Sequence, residues 1–111
     1  MHDFPYYILL GKRVFKTNME GYIKWSAKRG GRVSEQIAFT RISPTVDVST
    51  IFMCIDHNHS GEGKPVVFET MVFGGKFDQD GERYTTYGKA LDGHERMVRM
   101  VRKGFIDEHK N

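Results

Sequence analysis

The chain has 111 residues, with 17 basic and 14 acidic side chains, 39% apolar residues and 13% aromatic ones. That length fits one domain and excludes a two-lobed enzyme with a cleft between lobes, and the composition excludes a disordered or collagen-like chain. A single cysteine, Cys54, excludes an internal disulfide and a thiolate-rich zinc site.

Tyr6–Leu10 is a short run of strand formers, and Gly11-Lys12 joins it to Arg13–Lys16 as a tight hairpin would. Thr17 or Asn18 can cap a helix carrying Met19, Tyr22, Ile23 and Ser26 on one stripe, with Trp25 beside it, until Gly30-Gly31 stops it. Gln36–Ile42 alternates as a strand and Pro44 interrupts it. Val46–Asp56 is the strongest strand pattern: it alternates first, then turns apolar on both sides, as a strand covered on both faces would. A polar loop with two glycines leads to the return strand, Pro65–Phe73, which Gly74-Gly75 ends.

Phe77–Arg83 reads as a polar turn, with a short edge strand at Tyr84-Thr85. Thr85 or Thr86 then caps a helix whose Ala90, His94, Met97 and Val101 recur at helical spacing, with Leu91, Val98 and Phe105 alongside. The expected fold is a single α+β domain over residues 1–111. Its small antiparallel sheet has a central hairpin, 46–56 and 65–73, packed against helices at 18–29 and 86–103. Residues 104–111 are expected to fray.

No apolar run approaches the roughly 20 residues of a membrane span. The residues after Met1, His2-Asp3-Phe4-Pro5, lack the basic-then-apolar order of a signal peptide. The expectation is therefore a soluble, cytoplasmic protein without a membrane partner. Charge is unevenly placed along it: residues 12–41 hold eight basic and two acidic side chains, whereas residues 46–85 hold three and seven. Such blocks can steer a charged partner.

Three blocks carry a resemblance: Val48-Ser49-Thr50-Ile51-Phe52-Met53-Cys54-Ile55-Asp56-His57, Phe68-Glu69-Thr70-Met71-Val72-Phe73-Gly74-Gly75, and Arg83-Tyr84-Thr85-Thr86 with Ala90 and Gly93-His94. In order and spacing, over residues 46–101, the chain resembles a family of small uncharacterised proteins of tailed bacteriophages and prophages. It departs from that pattern at Lys89, where an acidic residue would complete a capping box. The resemblance implies a phage or prophage origin, the host cytoplasm as location and an accessory role such as counter-defence or host modulation. It carries over no catalytic residue and no cofactor.

Four residue groups could carry chemistry. Asp56, His57 and His59 are metal-ligand types at the hairpin tip, although their spacing is not that of a zincin or a zinc finger. Glu69 lies in a strand with Val67, Met71 and Phe73 on its own face, and His94 lies on the apolar stripe of the last helix. A carboxylate and an imidazole so placed need partners, and the expectation is that they pair with each other across the sheet–helix interface. That pair is either a structural hydrogen bond or the heart of an acid–base site. Lys24, Lys28, Arg29 and Arg32 surround Trp25, and Arg96, Arg99, Arg102 and Lys103 line a flank of the last helix; both clusters suit a charged partner.

The leading expectation is a non-catalytic binding module that needs no cofactor and contacts a host or phage protein. One alternative is a weak nucleic-acid binder using the two basic clusters. The other is a metal-assisted hydrolase built on Asp56, His57, Glu69 and His94. An exposed strand edge would allow a homodimer in each case.

Overall fold

The computed structural model describes residues 6–58 and 62–110. Among these the chain forms β1 (Tyr6–Leu10), β2 (Arg13–Thr17), α1 (Met19–Ala27), β3 (Ser34–Ser43), β4 (Val46–Met53), β5 (Phe68–Phe73), β6 (Gly81–Tyr84) and α2 (Tyr87–Glu108). The α+β class is as expected. The strands form two antiparallel sheets, a β1-β2 hairpin and a four-stranded sheet in the order β3-β4-β5-β6. β4 and β5 are its inner pair, in a register that sets Thr50 opposite Thr70 and Phe52 opposite Phe68.

The hairpin is a separate sheet, tied to the larger one at a Tyr6–Ile55 bridge, where the Tyr7 amide donates to the Cys54 carbonyl at 2.9 Å. On α1 the buried side chains are Trp25 and Ser26, while Met19 and Ile23 of the expected stripe are exposed. The Trp25 indole N–H donates to the Leu9 carbonyl at 2.9 Å and its ring meets Phe52 edge-on, which docks helix and hairpin onto the sheet. Nine buried residues gather there, among them Tyr7, Leu9, Phe52, Phe68 and Ala90.

β4 shows why the sheet has one covered and one open face. Val46, Val48, Thr50 and Phe52 are buried, whereas Asp47, Ser49, Ile51 and Met53 between them are only half-buried. Side chains alternate across a strand, so the two sets belong to opposite faces. α2 lies on the first face, packing Met97, Val98 and Val101 against Val46, Val48 and Val72. The expectation of a strand covered on both faces is thus corrected. Ile51 and Met53 are apolar, and among the described residues no second layer lies above them.

Several boundaries also differ from expectation: the central hairpin is shorter at its open end, with β4 ending at Met53 and β5 beginning at Phe68 where 56 and 65 were expected. β6 begins at Gly81, because the turn before it is tighter than polarity suggested: Asp80 donates to Phe77, Gln79 donates to Val72, and Gln79 takes a φ of 68°. α2 runs to Glu108 where a frayed tail was expected. Its polar residues there form the outer side of an amphipathic helix, and buried Gly104 faces the Phe77 ring so closely that a methyl group would collide with it. Gly74 ends β5 at a φ of 91°, with its Cα against the Thr45 carbonyl, a position only glycine fits.

Candidate functional site

His94 sits beneath the middle of the sheet, 5% exposed. Its Nε2 lies 2.8 Å from the Thr40 hydroxyl and its Nδ1 lies 2.7 Å from the Thr50 hydroxyl. Thr50 is hydrogen-bonded in turn to Thr70, which accepts from the Tyr84 hydroxyl at 3.1 Å. Each ring nitrogen of His94 and each hydroxyl along this chain thus has a hydrogen-bond partner. Burial pushes the His94 pKa below the ordinary histidine value, with the nearby Glu95 carboxylate pulling the other way. One residue from each of the four strands is thereby tied to α2 or to a neighbour through polar groups that are all satisfied.

Glu69 is not part of this chain, and the expected Glu69–His94 pair does not form. Glu69 stands opposite Ile51 and Arg83, on the open face, and accepts from Arg83 Nε at 2.9 Å. The physical reason is strand parity. The inward set of β5 is Phe68, Thr70 and Val72, so Glu69 goes outward with Met71 and Phe73. Glu69 is still largely covered, with 17% of its side chain exposed, because Arg83 lies across it.

At the hairpin tip, Asp56 is taken up by the backbone. Asp56 Oδ1 accepts the backbone amides of Asn58 at 2.8 Å and Val66 at 2.7 Å, and the His57 amide donates to the Val66 carbonyl. Asp56 therefore closes the base of the loop, a structural task that satisfies two backbone donors. His59 lies outside the described residues. Among the described residues, no group of three or more His, Cys, Asp or Glu side chains is placed to hold a metal ion. Cys54 donates from Sγ to the Val33 carbonyl at 3.1 Å, and burial pushes its thiol up to about 11. Such a thiol is a core residue and not a nucleophile.

The first basic cluster is largely structural. Arg29 stacks 4.4 Å above the Trp25 ring and pairs with Glu35 at 3.0 Å. Lys24 pairs with Glu20 on α1, and Arg32 donates to the Arg29 carbonyl. Lys28 is exposed. In the second cluster Arg96 is paired with Glu82. Arg99, Arg102 and Lys103 are exposed on α2 and make no ion pair among the described residues.

The surface that the sequence reading missed is the open face of the larger sheet. Phe39 on β3, Ile51 and Met53 on β4, and Met71 and Phe73 on β5 share it, and Phe39 and Phe73 are each nearly half exposed. Its charges are matched within the face: Arg41 grips Asp47 through Nε at 2.9 Å and Nη2 at 3.3 Å, and Arg83 holds Glu69. The Arg41 hydrogen bonds hold the Asp47 carboxyl below the usual carboxylate range. At one end the face opens into a groove of about 420 Å³ lined by Tyr22, Val33, Ile51, Met53 and Ile55. Val33 is 68% exposed and Ile55 52%, so apolar side chains stand open to water on both sides of the groove. The signal was present in the alternation of β4 and β5, whose outward sets include Ile51, Met53, Met71 and Phe73.

No helix among the described residues is long and apolar enough to cross a membrane. Set against family models, curated proteins and solved structures, the chain matches none of them.

Proposed function

We propose that the protein is a non-catalytic binding module whose open sheet face docks an apolar segment of a partner protein. The observation that carries this is the face itself: it holds Phe39, Ile51, Met53, Met71 and Phe73, Ile51 and Met53 also line a groove of about 420 Å³, and the charged neighbours are already paired. Phe and Met are enriched in the cores of protein–protein interfaces, and here they stand on a face that no helix covers among the described residues. Because Arg41–Asp47 and Glu69–Arg83 neutralise each other, the face favours an apolar, uncharged segment over a polyanion. The resemblance of residues 46–101 to phage and prophage proteins supports an accessory role in the host cytoplasm, with a host or phage protein as the partner.

The test is a photo-crosslinking amino acid placed at Phe39 or Met53, with a control at Arg99 on α2, in cells expressing the protein. The reading expects one discrete crosslinked protein from the face positions, lost when Phe73→Ser is added at the strand end, where the side chain is already half exposed. Crosslinks from Arg99 alone, or from the face only to a second copy of this chain, would overturn it.

Nucleic-acid binding stands as the second reading, favoured by the exposed and unpaired Arg99, Arg102 and Lys103. It expects affinity that falls steeply with salt and drops on charge reversal at these three positions. The hydrolase alternative has no such support, since His94 is engaged at both ring nitrogens and Glu69 lies on the other face.

A further inference from the structure

Away from the docking face, the β1-β2 hairpin and the start of α2 enclose a second concavity, of about 400 Å³. Lys12, Lys16 and Lys64 line it, together with Tyr7, Val14 and Tyr87. None of its lining residues is acidic, and none lines the groove described above. The three lysines come from the hairpin turn, from β2 and from the segment before β5. They make no ion pair among the described residues. Three lysines lining one concavity with no acidic residue make it a basic pocket, which attracts an anion.

The opposite wall is aromatic and apolar. Tyr87 packs edge-on against Phe68 at 6.2 Å, which fixes its ring, and the Lys12 ammonium lies 6.0 Å from the Tyr87 ring centre. Val14 and Pro65 continue that wall. The end of α2 adds to the same field. Its first turn has no acidic residue, Lys89 stands where one would complete the cap, and the space beside Gly88 is open. The helix end is a supplement here; the three lysines and the aromatic wall make the site.

We propose that this concavity binds a nucleoside phosphate, with the phosphates among Lys12, Lys16 and Lys64 and the base against Tyr87 and Val14. Its volume is that of a small-ligand site and exceeds what a lone phosphate would fill. The flat ring of a base has a matching surface in Tyr87, as aromatic side chains that stack nucleobases do. The same chemistry is offered by a free nucleotide and by the phosphorylated end of a nucleic-acid strand.

The test is calorimetric titration of the full chain with ATP, adenosine, inorganic phosphate and a short oligothymidylate with or without a 5′-phosphate. ATP is expected to bind at least about tenfold tighter than inorganic phosphate, and adenosine not to register. Lys12→Gln with Lys64→Gln, both on exposed side chains, should weaken ATP by about tenfold or more at unchanged melting temperature. Tyr87→Leu should weaken ATP but leave phosphate as it was. Arg99→Gln should change neither. Preference for the 5′-phosphorylated oligonucleotide over ATP would identify a strand end as the source, and the reverse a free nucleotide; both support the site. ATP binding that survives the lysine substitutions, no binding by either phosphate-bearing probe, or binding no tighter than inorganic phosphate would overturn it.

Discussion

His94 on α2 and Thr50 on β4, 44 residues apart in the chain, meet through a 2.7 Å hydrogen bond beneath the centre of the sheet. The imidazole is thereby held in a buried place between two hydroxyls on adjacent strands, and burial disfavours its charged form.

The stability of the fold should therefore fall in mild acid. The folded-state pKa of His94 is lowered from 6.5, so at lower pH the unfolded chain takes up the proton first. Stability is fully present above pH 6.5, declines as pH falls toward the folded pKa, and levels off below it. The slope in that window cannot exceed about 1.4 kcal/mol per pH unit for one proton. Urea denaturation between pH 8 and about pH 5 measures it. His94→Gln should remove this component of the slope, and an identical profile in that variant would refute the assignment.

Two glycines of α2 should respond in opposite directions to the same change. A methyl group at Gly93 would run into the Tyr84 ring and hydroxyl, which Thr70 holds in place. Gly93→Ala should cost about 1–3 kcal/mol as overpacking. Gly88 is exposed with open space around it, so Gly88→Ala should stabilise by up to about 1 kcal/mol through helix propensity. Thermal melts of the two variants decide the matter, and equal shifts would contradict the packing described.

Cys54 should resist alkylation. With a thiol pushed up to about 11 and a side chain 4% exposed, it holds very little thiolate at pH 8. Iodoacetamide should react at least about 100-fold more slowly with the native chain than with the urea-unfolded one, since the thiolate is the nucleophile. Equal rates would mean that this end of β4 opens freely.

The Glu69–Arg83 pair should contribute little. Half of the Arg83 side chain is exposed, so solvent screens the interaction. A double-mutant cycle with Glu69→Gln and Arg83→Gln should give a coupling below about 1 kcal/mol. A larger coupling would mean that Glu69 behaves as a desolvated charge after all.

Much of the architecture was legible because its signals are local. Thr86 capping α2 and the Ala90–His94–Met97–Val101 stripe need only helical spacing, and the Gly74-Gly75 stop needs only glycine's tolerance of positive φ. The site was not legible, for a reason visible in β5. Phe68-Glu69-Thr70-Met71-Val72-Phe73 offers two faces of similar hydropathy, and the one with the threonine is the buried one. Threonine is inward there because Thr50 stands opposite it and the Tyr84 hydroxyl reaches it, and no period in the sequence reveals such partners. Choosing the wrong parity moved Glu69 inward and hid the open face in a single step. The end of α2 was missed for another reason: Gly104 looks like a helix stop, yet it is the contact point for Phe77.

α2 touches β3, β4, β5 and β6, and it follows all four in chain order. During synthesis the ribosome releases the whole sheet before the helix that covers it. The β3–β4 and β4–β5 pairings join neighbouring segments and can form as they emerge, but Val46, Val48 and Val72 stay wet until α2 arrives. For that interval the nascent sheet is apolar on both faces, and a chaperone that reads exposed strands would meet two surfaces where the finished protein keeps one.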